Sequence, residues 1–384
     1  MKFKIFIAIA VFNFHFTRTQ NQVNDFKEKF ELPNEVKETS GLLFLDGKII
    51  THNDSGDAPN LYEIDSLSGT ILRTVAISNA TNVDWEVLAE NDTHIFIADI
   101  GNNNGNRQDL KIYKILKSDF KNKTIVSSEI ITYSYEDQTD FSSEPNSSNF
   151  DAEGIVVYEN ELLIFTKNWT DFKTNVYTIP LTAGSYVASK VSSANVEGLI
   201  TSAVHNADRF FLTGYDTSLK PFLIYIGFNR APGVDIFSSG FTRISLEDKL
   251  EQGSQIEAIT NIGATGKYYI SRENFSSIIS GITLTFEQKL YQFYDETSPL
   301  LSILKNELTL INIYPNPATH KINIKTNLSL STIEVYNILG KKVHLSLVPN
   351  KKEIDISSLK SGIYYLKIQL KNLNGGIVRK IIKL

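Results

Sequence analysis

The sequence contains no cysteine, which excludes disulfide bonds, thiolate nucleophiles and cysteine-ligated metals. It also lacks a P-loop, a Gly-x-Ser-x-Gly nucleophile elbow, a His-Glu-x-x-His motif and EF-hand spacing. Long apolar runs are scarce, and the one near the start, residues 5–16, is too short to cross a bilayer as a helix. A metal site in this chain would therefore use oxygen or imidazole ligands.

The first residues have the pattern of a secretory signal peptide. Two lysines, Lys2 and Lys4, precede the apolar run of residues 5–16. We expect residues 1–20 to be a signal peptide cleaved somewhere between positions 17 and 22. After that cleavage the chain has no further long apolar segment, which predicts no transmembrane segment in the mature protein.

Charge is divided unevenly along the chain. From residue 305 onward there are 13 Lys plus Arg against 4 Asp plus Glu, whereas residues 21–304 carry a net charge of −17. An acidic body repels nucleic acid and attracts cations. The sequence therefore predicts no nucleic-acid partner.

A pattern recurs five times: a polar residue introduces a short apolar stretch, and a second strand-like run ends 11 to 16 residues later. The introducing residues, 44 to 67 positions apart, are Ser40, Glu86, Glu153, Glu197 and Glu257. Such a period is typical of a β-propeller, in which each blade has four strands. The fifth unit offers three strands, and residues 26–32 can supply the missing one and close the ring.

These strands predict an all-β protein: a five-bladed β-propeller over residues 21–295, a linker over 296–308 and a small C-terminal β-sandwich over 309–384. A degenerate sixth blade in residues 136–150 or 229–240 stays open as an alternative. The innermost strand of every blade lines one central channel, so equivalent residues converge on a single axis.

The five introducing residues predict a metal site in the channel, formed by Ser40, Glu86, Glu153, Glu197 and Glu257. Several carboxylates cannot be crowded into a low-dielectric channel unless they are protonated or share a cation. Calcium (Ca²⁺), which accepts six to eight oxygen ligands in flexible geometry, suits such a ring. The alternative is that these residues cap strands or bind channel water.

The ends of the inner hairpins predict a ligand-binding rim at the channel mouth, with the candidates His52, Asp54, Asp99, Lys167, Arg272 and Glu273. The repeat places Lys167 and Arg272 at equivalent positions two blades apart, where they would clamp a phosphate or carboxylate, and His52 would act as acid or base. Asp54, Asp99 or Glu273 would hold another cation. The alternative is structural: the aspartates bond their own turns and the basic residues neutralise them.

The last 75 residues resemble a known family. The motifs are Asn-Ile-Tyr-Pro-Asn-Pro-Ala at 312–318, Ile-Glu-Val-Tyr-Asn-Ile-Leu-Gly-Lys at 333–341, Ile-Asp-Ile-Ser-Ser-Leu-Lys-Ser-Gly-Ile-Tyr-Tyr at 354–365 and the closing Lys-Ile-Ile-Lys-Leu. They resemble the type A C-terminal sorting domain of the type IX secretion system of Bacteroidetes. The resemblance implies passage through the periplasm and across the outer membrane, with the type IX machinery as partner and the cell surface or the medium as destination. An ordinary fibronectin-like accessory domain is the alternative.

The body resembles bacterial secreted or lipoprotein propellers of undefined activity, through the runs at 51–57, 84–86 and 99–103. More distantly, the predicted metal ring is similar to the calcium site of five-bladed calcium-dependent apyrases, although those have Ser where this chain has Glu197. Six-bladed phytases offer a similar arrangement. Two functions are therefore expected: a surface or secreted propeller that binds an anionic small molecule, glycan or partner at its mouth, or a calcium-dependent phosphoester hydrolase.

Overall fold

The computed structural model describes residues 23–206, 209–227, 235–263, 265–279, 282–295, 312–326, 330–338, 340–343, 353–370 and 376–384. The predicted signal peptide and the predicted linker lie outside these ranges. Within them the chain is almost entirely β-structure, with one short helix, α1 (Lys117–Asn122), and one 3₁₀ turn, Asn34–Val36. No helix in the described part of the chain is long and apolar enough to cross a membrane.

The body contains 23 strands in the described residues. They are β1 (Asn24–Glu31), β2 (Thr39–Leu45), β3 (Lys48–Asn53), β4 (Asn60–Asp65), β5 (Ile71–Ile77), β6 (Trp85–Glu90), β7 (His94–Asp99), β8 (Lys111–Leu116), β9 (Ile125–Val126), β10 (Glu129–Tyr135), β11 (Ala152–Tyr158), β12 (Glu161–Thr166), β13 (Thr174–Pro180), β14 (Gly184–Ala194), β15 (Leu199–Asn206), β16 (Arg209–Tyr215), β17 (Pro221–Gly227), β18 (Thr242–Ser245), β19 (Ile256–Asn261), β20 (Lys267–Arg272), β21 (Phe275–Ile279), β22 (Ile282–Phe286) and β23 (Lys289–Tyr294).

Most of these strands follow one plan, in which consecutive strands pair antiparallel and the sheet grows outward from its first strand; the short β9 is an exception and pairs in parallel with β5. The orders are β2-β3-β4-β5-β9, β6-β7-β8-β10, β11-β12-β13-β14, β15-β16-β17-β18 and β19-β20-β23-β1. The outer strands β10 and β14 pair in parallel, which joins the second and third sheets into one of eight strands. The hairpin β21-β22 is an insertion between β20 and β23.

The first strands of these sheets form a closed ring. β2 contacts β6, β6 contacts β11, β11 contacts β15, β15 contacts β19, and β19 returns to β2. The ring gives the body its propeller-like, all-β fold. It also places the starts of all its strands at one end, which we call the mouth.

The ring is closed by the start of the described chain, as the sequence predicts. β1 pairs antiparallel with β23, with Lys27 opposite Gln292 and Glu31 opposite Lys289. Beyond the strand, Leu32 N–H donates to the Gln288 carbonyl, and the Gln288 side chain donates back to the Leu32 carbonyl. An outer edge that would otherwise be open is thereby covered.

The core lies between neighbouring sheets. In β7, Ile95, Phe96 and Ile97 are consecutive and all fully buried, because both faces of this sheet pack against neighbours. Ile95 and Ile97 pack towards the first sheet, with Leu61 and Val75. The continuous apolar runs of the inner strands therefore reflect burial on two faces.

The C-terminal part has its own core. Its strands are β24 (Asn312–Tyr314), β25 (Lys321–Lys325), β26 (Leu330–Asn337), β27 (Lys342–Val343), β28 (Glu353–Asp355), β29 (Gly362–Leu370) and β30 (Gly376–Lys383). They form two sheets, β24-β25-β28 and β27-β26-β29-β30. Ile322 and Ile324 of the first sheet share a buried cluster with Val335, Leu366 and Ile368 of the second.

Candidate functional site at the mouth of the ring

A β-bulge near the start of each first strand positions the polar side chains of the mouth. The pairing of first and second strands shifts register between Thr39/Leu42, Trp85/Val87, Ala152/Gly154, Ile200/Ser202 and Ile256/Ala258. A bulge inserts one residue and re-aims its side chain. Glu86, Glu153 and Glu257 are the inserted residues in three sheets, and all three are buried. Three of the predicted metal ligands thus occupy equivalent positions.

Glu197 does not join them, which corrects the five-residue ring expected from the sequence. It precedes β15 with φ +55°, and its side chain is exposed. The inserted residue of that sheet is Thr201, whose hydroxyl donates to the Ile256 carbonyl. Ser40 is buried, but its hydroxyl donates to the Glu86 carbonyl over 2.6 Å. Both hydroxyls tie neighbouring strands of the ring together.

A second layer of the mouth comes from the ends of the second strands. The pairs Thr39–Asn53, Trp85–Asp99, Ala152–Thr166, Ile200–Gly214 and Ile256–Arg272 are equivalent in the five sheets. The residues that follow are therefore equivalent as well: Asp54, Ile100, Lys167, Tyr215 and Glu273. Lys167 corresponds to Glu273, and not to Arg272 as the sequence suggested. One residue of slip in a strand moves a side chain to the opposite face.

Arg272 accordingly does not form a clamp with Lys167. Its guanidinium donates to the Glu287 carbonyl (3.0 Å), the Ser254 hydroxyl (3.1 Å) and the Glu251 carboxylate (3.2 Å). The residue is 4% exposed and packs on the rings of Phe286 and Tyr291. These contacts make Arg272 a structural residue of the fifth sheet.

Lys167 lies in the mouth but is fully engaged there. Its ammonium is 2.5 Å from Glu153 Oε1, and it lies 5.1 Å from the ring centroid of Trp169 and 5.4 Å from that of Tyr215. Burial alone would lower the pKa of Lys167, but the charge of Glu153, with smaller effects of Tyr215 and Glu257, raises it well above its ordinary value. Lys167 is therefore a permanent cation.

Within the described residues, Asp54, Asp84 and Glu86 form an acidic cluster in which each offers a carboxylate oxygen within 4.8 Å of the others. Burial, with a smaller contribution from neighbouring carboxylates, raises the pKa of Asp54 to about 6 and that of Asp84 to about 7; burial also raises the pKa of Glu86 well above its ordinary value. Gly101 makes room for the cluster. A Cβ at Gly101 would lie 2.1 Å from Glu86 Oε1 and 2.4 Å from Asp84 Oδ2.

Asp84 and Asp151 are mouth residues that the sequence reasoning missed. Each precedes an inserted glutamate by two positions, and alternation along a strand puts such residues on the same face. The Asp-x-Glu spacing could therefore have identified both. Asp151 is buried and accepts hydrogen bonds from the Asn102 backbone N–H (2.6 Å) and from Trp169 Nε1 (2.8 Å).

Two predicted rim residues lie inside the fold instead. His52 is fully buried, its Nδ1 lies 2.9 Å from the Asn53 carbonyl, and burial lowers its pKa to about 4. It is thus a neutral imidazole at physiological pH, packed edge-on against Trp85. Asp99 accepts from Arg107 (2.8 Å) and from the Asp84 backbone N–H (3.1 Å). Neither is placed to serve a ligand at the mouth.

The remaining predicted rim residues, Asp54 and Glu273, are partly exposed at the mouth. Burial raises the pKa of Glu273 to about 7, and the charge of Asp54 contributes to that rise. Asp54 also raises the pKa of Glu153 and Glu257. Asp54 therefore influences carboxyl groups from more than one sheet of the ring.

Comparison with known families identifies the C-terminal part. Residues 312–384 match the family model of the secretion system C-terminal sorting domain. This match indicates export through the type IX secretion system to the cell surface or the medium. No curated protein matches the chain.

The solved structures that the chain matches are remote from it. The extracellular domain of the putative one-component system BT4673 from B. thetaiotaomicron is 10% identical with a TM-score of 0.32, over 94% of this chain and 59% of that one, so this chain spans less than two thirds of it. A GH43_1 enzyme from Xanthomonas citri is 9% identical with a TM-score of 0.40, over 70% and 89% of the two chains. A DUF4623 family protein from Bacteroides eggerthii is 10% identical with a TM-score of 0.32, over 69% and 72%.

Proposed function

We propose that this protein is an exported five-bladed β-propeller, with the blades in residues 21–295, a linker in 296–308 and a β-sandwich sorting domain in 309–384. The ring of β2, β6, β11, β15 and β19 supports the blade count. Each of these five strands is the first strand of a separate set of four or five strands, and each set would be one blade. The buried cluster shared by the two C-terminal sheets supports the sandwich. The sorting domain would be the part that the type IX machinery recognises.

We further propose that the mouth binds a divalent cation, with calcium as the best fit, through Asp54, Asp84 and Glu86. The single observation that carries this proposal is the convergence of their three carboxylate oxygens within 4.8 Å of one another. Hard oxygen donors on long and short side chains suit calcium. The space that Gly101 leaves open for two of the carboxylates supports the same assignment, because any other residue there would push them apart.

The surroundings also favour a cation. Among the described residues, the mouth holds the one ammonium of Lys167 and seven carboxyl groups close enough to influence the pKa values of others in the group. The carboxyl groups are those of Asp54, Asp84, Glu86, Asp151, Glu153, Glu257 and Glu273. Crowded carboxylates in a buried site repel one another unless protons or a cation neutralise them. A bound divalent ion would leave coordination positions for a ligand that enters from the mouth.

The function proposed is therefore cation-dependent binding of an external ligand, such as an anionic small molecule or a glycan, at the cell surface or in the medium. The alternative, a calcium-dependent phosphoester hydrolase, needs basic residues and a proton-transfer group at the mouth. Arg272 is engaged by Glu251 and Ser254, and His52 is buried against Trp85. Those placements favour binding over hydrolysis.

A calcium titration of the full chain tests the cation. After treatment with EDTA, isothermal titration calorimetry should give one calcium per chain, and calcium should raise the melting temperature by mass action. Asp84→Asn should weaken binding at least about tenfold, equivalent to about 1.4 kcal/mol. Asp119→Asn, the same change at a partly exposed residue of helix α1, is the matched control. Unchanged melting temperatures with calcium and with EDTA would remove the cation from the proposal.

A further inference from the structure

The contacts of the Lys167 ammonium are those that a protein makes with a bound amine ligand. Its ammonium contacts one carboxylate oxygen of Glu153 and the faces of two aromatic rings, Trp169 and Tyr215. A carboxylate with aromatic faces is the set of groups that recognises ammonium ions. Lys167 itself is 5% exposed, so this position is closed to outside amines while the side chain fills it.

The carboxylates around Lys167 have unused capacity for a cation. Glu153 is 3% exposed, and its second oxygen, Oε2, is buried with no hydrogen-bond partner in the described part of the chain. Glu257, 7% exposed, occupies the equivalent bulge two sheets further along and is close enough for the Lys167 charge to lower its pKa. These two glutamates and Lys167 form the second half of the mouth, beside the cluster of Asp54, Asp84 and Glu86.

We propose that the Lys167 ammonium is a built-in cation that occupies a second cation position, at Glu153, and thereby limits the mouth to one divalent ion. This inference rests on the proposed cation site in its other half. Emptied of the lysine side chain, the second position would accept a second calcium ion or a small alkylammonium ion. Lys167 is thus the residue that determines stoichiometry at the mouth.

The geometry explains why a tethered ammonium would be used here. An ammonium neutralises one carboxylate and packs on rings, whereas a divalent ion in the emptied position would need further oxygen ligands, from Glu153 Oε2, Glu257 and water. The tether also makes this cation independent of the calcium concentration outside the cell. One half of the mouth therefore keeps its charge balance permanently, and the other half responds to the metal.

Two measurements on Lys167→Ala test this proposal in the full chain. In calcium titrations, the number of bound ions should rise from one per chain in the wild type to two in the variant. In EDTA, methylammonium chloride should raise the melting temperature of the variant by several degrees, about 3 °C or more, and that of the wild type by less than about 1 °C. Lys167→Arg, which keeps the charge, should behave as the wild type, and Lys173→Ala removes an exposed lysine of the same loop as a control.

The outcomes separate this inference from the cation site on which it rests. A variant that binds one calcium or none and gains nothing from methylammonium overturns the role of Lys167. A wild type that binds no calcium overturns the proposed function, but rescue of the variant by methylammonium would still support the ammonium position. If Lys167→Ala does not fold, Lys167→Gln serves instead. The double variant Glu153→Gln/Lys167→Gln removes both charges and should lose the methylammonium response.

Discussion

At the scale of single residues, strand register decides which polar side chains can act together. Lys167 and Arg272 both follow apolar inner strands and both carry a positive charge. The pairing places Arg272 opposite Ile256 and places Lys167 one position beyond Thr166, so their side chains belong to opposite faces. The same shift brings Glu273 to the position that is equivalent to Lys167.

Arg272→Ala should destabilise the protein without affecting the cation. The substitution leaves the Glu287 carbonyl and the Ser254 hydroxyl without a donor and removes packing on Phe286. Hydrogen bonds to charged groups contribute about 1.5 to 3 kcal/mol, and we expect a loss of about 2 kcal/mol in the free energy of unfolding. Urea unfolding measures this loss, and a calcium titration should give the wild-type affinity. A fall in affinity as large as that of Asp84→Asn would place Arg272 in the binding site after all.

Glu273 gives a pH dependence whose sign follows from its environment. Burial and the charge of Asp54 raise its pKa from 4.5 to about 7 in the folded state. A raised folded pKa means that its contribution to stability is fully present below the unfolded value and is lost as pH rises through about 7. Glu273→Gln does not titrate, so in EDTA it should gain stability relative to the wild type between pH 5 and pH 8, on the order of 1 kcal/mol.

Chemical denaturation of both proteins at pH 5 and pH 8 measures that gain. Glu129→Gln, which alters an exposed carboxylate, is the control and should show no such gain. A stability difference between Glu273→Gln and the wild type that is the same at both pH values would contradict the raised pKa.

At the scale of elements, β1 is the strand that completes the fifth sheet. The other strands of that sheet, β19, β20 and β23, come from the end of the body sequence. Without β1, the outer side of β23 exposes unpaired N–H and C=O groups along the edge of the sheet. The stacking of Phe26 on Tyr291, with ring centroids 5.5 Å apart, is lost as well. The pairing of β1 with β23 thus closes the ring through residues separated by more than 250 positions in the sequence.

Deletion of β1 should lower the melting temperature and cause self-association that increases with protein concentration. A synthetic peptide with the sequence of residues 23–33 should bind the truncated protein and restore much of the lost melting temperature. Light scattering and thermal melts measure both effects, with a scrambled peptide as the control. Equal rescue by the two peptides would argue against specific strand pairing.

At the scale of the whole molecule, the two parts have separate cores. The buried cluster of the C-terminal part contains residues between 318 and 381, and those of the body contain residues between 23 and 293. Deletion of residues 312–384 should therefore leave the body folded, with nearly the same melting temperature, but hold it in the periplasm. Cell fractionation measures the location, and the full chain is the control. Truncated protein at the cell surface in normal amount would contradict the role of the tail in sorting.

The sequence by itself determined the class of the fold and the identity of the tail. The strand periodicity, the turn residues and the repeat are local properties, and the motifs of residues 312–384 are contiguous, so no distant contact was needed to find them. For the same reason Glu86, Glu153 and Glu257 could be aligned as repeats. The role of the first strand in closing the ring could also be predicted from the sequence, because the fifth unit has only three strands of its own.

Only the tertiary structure decided which of these polar residues meet. Glu197 matched the repeat by spacing, but the bulge of its sheet falls at Thr201, and a bulge depends on pairing with the neighbouring strand. Lys167 was matched to Arg272 because one residue of register cannot be read from one strand alone. Asp84, Gly101 and Asp54 come from three different connections, and they approach one another only because the ring of first strands brings the ends of separate sheets to a single mouth.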